Sequence, residues 1–416
     1  MQSQLLVFVF AIFISFVAPT QELTPEMVKE KVVKNNRHIE ASVRIATAIQ
    51  GRKGYLLRSY LPQVEAQAGV ETFTKELKKE VNDPFYGVEA SINLFRGFKD
   101  SEKDNQIKSE VDASLAEKDE IYLDELSKAL ESFWNVVYAK ESLDVLKKYQ
   151  ELNKKNLTAS KQRISAGVAP QTDFIEFEMN DKLLEQEKTR LDVLQKTSEQ
   201  RLNILMHEGK DKTFLYPSEI PSAVMTQKVS GKLNPLGLSR VRKSEALAAK
   251  SSSESKVAGK WWMPELDLIT GYKQLNRRES DQFLQRDRQD YYYGVRLKMN
   301  LFDAAQSITE KQTLAALAIA EEFKADQAKK ELEIEYENQQ KLFSTLERQV
   351  QDASSNQKMM KNYLESILRE YSRGVKGSSE VLSASDRYYD YQKKYIELKR
   401  DYQLMKFQLT ETMGEI

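Results

Sequence analysis

The chain contains no cysteine. That excludes disulfides, thiolate nucleophiles and thiolate metal sites, and a lipidated N-terminal cysteine is not expected. Histidine is nearly absent. His38 and His207 stand far apart in unrelated contexts, so each reads as a structural or surface residue, and no metal site or cofactor is expected. An excess of one charge is lacking too. Lys+Arg and Asp+Glu both total 63, which leaves no basic surplus to hold nucleic acid. No phosphate loop, nucleophile motif or metal-ligand cluster is present, so no enzyme is expected.

Long hydrophobic runs are also missing. Leu5–Val17 is almost wholly apolar, but it is shorter than the ~18 residues a membrane helix needs. It fits the core of a signal peptide, with residues 1–20 as the leader and Gln21 as the candidate mature start. The alternative is a buried N-terminal helix. Glycine and proline number only 15 and 9. None falls between Phe98 and Ala166, or between Val295 and Arg373. They are the strongest breakers of regular structure, so both stretches read as uninterrupted helix.

What is present is present twice. Asn93-Leu94-Phe95 recurs as Asn300-Leu301-Phe302, Gly167 as Gly374, Asp173 as Glu380 and Met206 as Met413, always 207 residues later. Internal repetition of this kind governs the fold. The repeat consists of a helix, a β-hairpin and a long helical hairpin. The domains expected are a first repeat over 21–206, an inter-repeat linker over 207–235 carrying Pro217, Pro221 and Pro235, and a second repeat over 236–416.

Each hairpin follows a proline, Pro62 or Pro264, that ends a helix (Pro25 to Tyr60, and Leu238 to Lys260). Val64, Ala66, Ala68 and Val70 fall on one face opposite Glu65 and Gln67, and Leu266, Leu268, Thr270 and Tyr272 alternate with Asp267 and Gly271, a pattern that Ile269 breaks. Charged loops follow, from Lys75 to Asp83 and from Lys273 to Asp290. In the first return strand Tyr86, Val88, Ala90, Ile92 and Leu94 share a face. In the second, Tyr293, Val295, Leu297, Met299 and Leu301 oppose Arg296 and Lys298. Period-two alternation over five apolar positions marks a strand. Its length of about 9–11 residues crosses a bilayer when tilted. The apolar faces, Val88, Ala90, Ile92, Leu94, Val295, Leu297, Met299 and Leu301, are expected to meet lipid. Tyr86, Trp261, Trp262 and Tyr291–Tyr293 suit the membrane interface. A soluble hairpin with surface aromatics remains the alternative. Four strands cannot close a barrel, and unpaired backbone edges are not tolerated in lipid. On the membrane reading, several chains must therefore pool their strands.

The long helices span about 100 Å each at 1.5 Å per residue. Leu126, Leu130, Phe133 and Val137 form a coiled-coil seam, as do Leu332, Tyr336, Gln339, Phe343, Leu346 and Val350. Gly167 and Gly374 stop the outgoing helices. Pro170, and Ser378 or Ser379, restart the returning ones, Gln171 to Met206 and Ser379 to Met413. The returning helices cover half the outgoing length, and the first helix of each copy is expected to fill the remainder.

This doubled set resembles the TolC family of outer-membrane efflux and secretion ducts. Leu61-Pro62-Gln63 and Met263-Pro264-Glu265, the two Asn-Leu-Phe segments, and the turns Arg163–Asp173 and Tyr371–Leu382 carry the resemblance. The resemblance implies a mainly α fold with a small β part. The two tandem repeats would build a long coiled-coil-like α-helical barrel in the periplasm. Four strands per chain would contribute to a twelve-stranded transmembrane β-barrel shared by a homotrimer. It also implies an outer-membrane location, a periplasmic adaptor (membrane-fusion) protein and an inner-membrane transporter as partners, and service in a tripartite efflux pump or type I secretion. Arg163, Gly167, Val168, Gly374 and Val375 would meet the adaptor. Asp173 with Tyr371, and Thr172 with Lys376, would lock the periplasmic gate, with Glu380 and Ser383 at its constriction. A periplasmic coiled-coil scaffold or adaptor outside the membrane is the alternative from a different class.

Overall fold

The computed structural model describes residues 22–75, 79–167, 169–223, 233–275, 288–303 and 305–413. The expected leader and Val168 lie outside the described residues. Eight helices and four strands follow in two repeats: α1 (Pro25–Asn35), α2 (Arg37–Gln50), α3 (Tyr55–Ser59), β1 (Gln63–Lys75), β2 (Lys79–Arg96), α4 (Lys99–Ser165) and α5 (Gln171–Leu205), then α6 (Ser239–Gly259), β3 (Glu265–Leu275), β4 (Arg288–Lys298), α7 (Gln306–Ser372) and α8 (Ser378–Met413).

Helices α4 and α7 are each 67 residues long, about 100 Å. Helix α4 fills the first stretch without glycine or proline, whereas in the second β4 continues to Lys298 and α7 begins only at Gln306, so that stretch is not helix throughout. Along α4 the expected seam is buried: Leu126, Leu130, Phe133 and Val137 join a core with Leu191, Leu202 and Tyr216. On α7 only the lower half of the seam, Phe343, Leu346 and Val350, is buried, against Leu398, Tyr402 and Leu409 of α8. Leu332 and Tyr336 lie above the end of α8 and are half-buried.

The region expected to form one helix from Pro25 to Tyr60 is three. Asn36 turns extended (φ −66°, ψ 123°) and ends α1, and its Oδ1 accepts from the N–H groups of His38 and Ile39 to start α2. Asparagine favours this capping role because its side chain replaces a missing backbone acceptor. The same residue joins α2 to the returning helix of its repeat, since its amide donates to the Leu205 carbonyl (3.1 Å) and to Glu125 (2.9 Å). Asn234 does the equivalent work in the second repeat. Its amide donates to the Glu411 carbonyl (2.8 Å), its backbone N–H donates to Thr412, and its Oδ1 accepts from Gly237. Each returning helix thus meets the first helix of a repeat end on, and the long helix beside them stays covered.

The four strands form one antiparallel sheet in the order β1-β2-β3-β4. Pairing of β2 with β3 joins the two repeats. The strands run further than the alternation indicated. β1 reaches Lys75 and β2 starts at Lys79, so most of the charged segment expected as a loop is paired backbone. Ladder hydrogen bonds need no apolar side chains. The tip at 76–78 lies outside the described residues. So does 276–287, the centre of the second expected loop. Tyr291–Tyr293 accordingly sit inside β4 rather than at its end. At the other end β4 stops at Lys298, so Met299 and Leu301 follow the strand instead of belonging to it. A bulge between Asn93 and Phe95 shifts the β2–β3 register, placing Phe95 opposite Leu266 and leaving Leu94 unpaired.

Candidate functional site

The residues singled out in the sequence fall on two surfaces: the sheet, and the tips of the helical hairpins about 100 Å away along helices of 67 residues.

On the sheet, register decides the faces. Val64, Ala90, Thr270 and Tyr293 stand in one cross-strand row. Ala66, Val88, Tyr272 and Tyr291 form the next, and Ile92, Leu268 and Val295 another. Side chains in such rows share a face, so the apolar positions of all four strands merge into one surface. Val295 and Leu297 are 61% and 68% exposed, so the surface is uncovered. Among the described residues no helix is layered against the sheet. The opposite face carries Glu65, Glu89, Asp267, Arg296 and Lys298. Among the described residues nothing pairs with the outer edges of β1 and β4.

At the tips, Gly167 (φ +71°) and Gly374 (φ +77°) adopt the left-handed conformation that closes a helix, which glycine enters without a Cβ penalty. Their N–H groups reach the carbonyls of Ile164 and Tyr371. Gly167, Gly374 and Val375 are exposed. The structure brings Arg163, Asp173 and Tyr371 together. The Arg163 guanidinium lies 4.5 Å from the centre of the Tyr371 ring, and Asp173 and Tyr371 are both buried. Burial pushes the Tyr371 hydroxyl up from its ordinary pKa, the nearby guanidinium opposes that, and the Asp173 charge adds to it. The hydroxyl itself has no hydrogen-bond partner among the described residues. Thr172 and Ser383 are exposed and Lys376 is half-buried. Glu380 is exposed and its Oε2 accepts from the Gly377 N–H at 3.0 Å, which closes the start of α8.

Sequence patterns did not reveal a ladder of polar ties between the two hairpins. Ser378 donates to Glu176 (2.9 Å). Above it Tyr149 donates to Asp386 and stacks on Tyr389. Within the first hairpin Asn180 donates to Tyr149 (3.1 Å), and Asn153 to the Phe177 carbonyl (3.0 Å), which holds that tyrosine in place. Lys393 reaches Glu187 at 2.7 Å. Lys399, only 3% exposed, reaches Glu141 at 2.6 Å. Burial raises the pKa of Asp386, and the Asp390 charge adds to it, while the tyrosine hydroxyl opposes the shift. Arg190 first, and Lys393 after it, hold the Glu187 carboxyl down to about 2. Ties such as Lys393–Glu187 link residues some 200 positions apart, so no local spacing signals them.

Solved structures share this architecture. The outer-membrane channel OprN superposes with a TM-score of 0.80, at 14% identity, over 94% of this chain and 89% of that one. This is the TolC-type outer-membrane channel fold. CusC, whose structures are described in terms of folding and transmembrane channel formation, gives a TM-score of 0.76 at 12% identity, over 94% of this chain and 91% of its own. The Campylobacter jejuni CmeC outer membrane channel gives 0.75 at 14% identity, over 94% and 85%. No protein-family model and no curated protein matches the sequence. The proteins that share the TolC-type fold here are channels rather than enzymes. At 12–14% identity the likeness is one of fold.

Proposed function

We propose that the protein is the outer-membrane duct of a tripartite efflux pump or type I secretion system. It conducts substrates passively from a periplasmic entrance to the exterior, while an inner-membrane transporter supplies the energy. The observation that carries this reading is the sheet, with one continuous, uncovered apolar face and two open edges. In a water-soluble protein that face would seek a helix layer. In a bilayer it meets lipid, but open edges there cost several kcal/mol for each unsatisfied backbone group. Joining β4 of one copy to β1 of the next removes every edge, and three copies give a twelve-stranded cylinder. The helices then extend about 100 Å into the periplasm. Their tips, with Arg163, Gly167, Val168, Gly374 and Val375, meet a periplasmic adaptor. Asp173 with Tyr371, Thr172 with Lys376, and Glu380 with Ser383 form the gate at the entrance.

A periplasmic scaffold or adaptor accounts for the helices but gives the apolar sheet no role. Extraction separates the two readings. The duct should stay with membranes through salt and urea washes, require detergent, and elute as a species of three protomer masses by light scattering. A monomer recovered in water without detergent would overturn the duct.

A further inference from the structure

The water-side face of the sheet contains a fork that no sequence spacing announces. In register, Glu89 of β2 stands opposite Gly271 of β3, which stands opposite Tyr292 of β4. Gly271 leaves a gap, because a Cβ there would fall 2.5 Å from the Tyr292 ring and hydroxyl. Tyr292 lies across that gap and donates to Glu89 Oε2 at 2.7 Å. Arg296 lies on the same face of β4, with only Gly294 between it and Tyr292. It reaches over β3 to both carboxylate oxygens, Nη1 to Oε1 at 2.9 Å and Nη2 to Oε2 at 2.9 Å. This planar, two-bond geometry is particular to arginine. The charges paired in register with the fork are acidic, while Lys298 and Lys273 stand one row beyond it at either end, opposite Glu265 and Asp290. Glu65 is paired in register with Glu89, and Asp267 with Arg296.

We propose that Glu89 and Arg296 set the ion selectivity of the barrel section of the conduit, Arg296 being the cation that offsets a ring of carboxylates repeated in every protomer. The inference rests on the duct reading, in which this face lines water. Rings of fixed charge along a narrow aqueous path bias the permeating ion. Losing Arg296 frees the Glu89 carboxylate and shifts the balance around Glu65, Glu89 and Asp267 towards negative charge, while losing Glu89 leaves the guanidinium facing fewer acids.

The test uses the full-length trimer in planar bilayers under a potassium chloride gradient, with the reversal potential as readout. Arg296→Gln should raise the potassium-to-chloride permeability ratio by about twofold or more, as expected for a charged ring in a pore. Glu89→Gln should lower it. The double variant should return towards the wild-type ratio. Conducting channels with an unchanged ratio in both single variants would overturn the inference and leave the duct reading standing. Trimers that do not conduct even when the Asp173 and Tyr371 side chains are removed would overturn both. Where a single variant fails to assemble, the swap Glu89→Arg with Arg296→Glu keeps the pair and should keep the ratio, and a changed ratio would count against the fork. The lack of native cysteine allows a further check. Ser91→Cys, on the same face, should react with charged, membrane-impermeant thiol reagents in assembled trimers, and its failure to react would place this face away from water and overturn the inference.

Discussion

Tyr371 is buried with its ring under Arg163 and its hydroxyl unpaired among the described residues. A buried hydroxyl without a partner costs about 1–3 kcal/mol. The isolated chain therefore leaves an unmet demand at the place where the gate reading needs a bond. Removing both the Asp173 and Tyr371 side chains should raise single-channel conductance in planar bilayers, and unchanged conductance would take these residues out of the lock. Glu380 is different, because its carboxylate already accepts from Gly377. Part of its role is local, closing the first turn of α8, and Glu380→Gln should preserve that contact while removing charge from the entrance. Asp173 and Glu380 occupy equivalent repeat positions, yet one is buried beside tyrosine and the other is exposed. Composition and spacing alone did not separate them.

At the scale of elements, two asparagines join helices that meet end on. Asn36 caps α2 while holding the end of α5, and Asn234 holds the end of α8. Asn36→Ala should cost about 1–2 kcal/mol for the cap, read as a lower thermal midpoint of the detergent-solubilised protein. A second device at this scale is the tie between α5 and α8 through Glu187 and Lys393. The Glu187 pKa is depressed from the usual 4.5 to about 2. Its contribution is thus present above the ordinary carboxylate range and is lost as pH falls towards 2. Between pH 6 and about pH 3 wild type should therefore lose more stability than Glu187→Gln, and superimposable pH profiles of thermal unfolding would show that the tie does not matter. These joints escaped the sequence reading because each pairs residues from opposite ends of a repeat, or from different repeats. The helices themselves were legible. Absence of glycine and proline from Phe98 to Ala166 placed α4 almost to the residue, because a helix that long needs only an unbroken run and a stop at Gly167.

At the scale of the whole molecule, an isolated chain leaves an apolar sheet face uncovered and two edges open. The duct reading predicts that arginine at Val295 or Leu297 will destabilise the barrel by about 2–4 kcal/mol if the site lies near mid-membrane, read as reduced trimer recovery after extraction. Normal recovery of both variants would argue that the face never meets lipid. It also predicts that a cysteine placed on β1 and another on β4 will crosslink between chains into a closed trimer. No native thiol interferes. Crosslinks limited to dimers would contradict a closed ring.

The amino-acid sequence by itself determined the doubling, the unbroken helices, the glycine turns and the two-sided strands, since each rests on local periodicity or on residues that stop it. Only the tertiary structure decided that the hairpins of the two repeats lie side by side in one sheet, that most of the first charged segment between strands is paired backbone, and that the lower half of α7, but not the upper, is covered by α8. It alone brought Glu89 to Arg296 and Tyr149 to Asp386. The physical reason is the same throughout. Periodicity tells a side chain which face it is on, but which partner waits there depends on how segments some 200 residues apart are set against each other, and no short-range pattern encodes that.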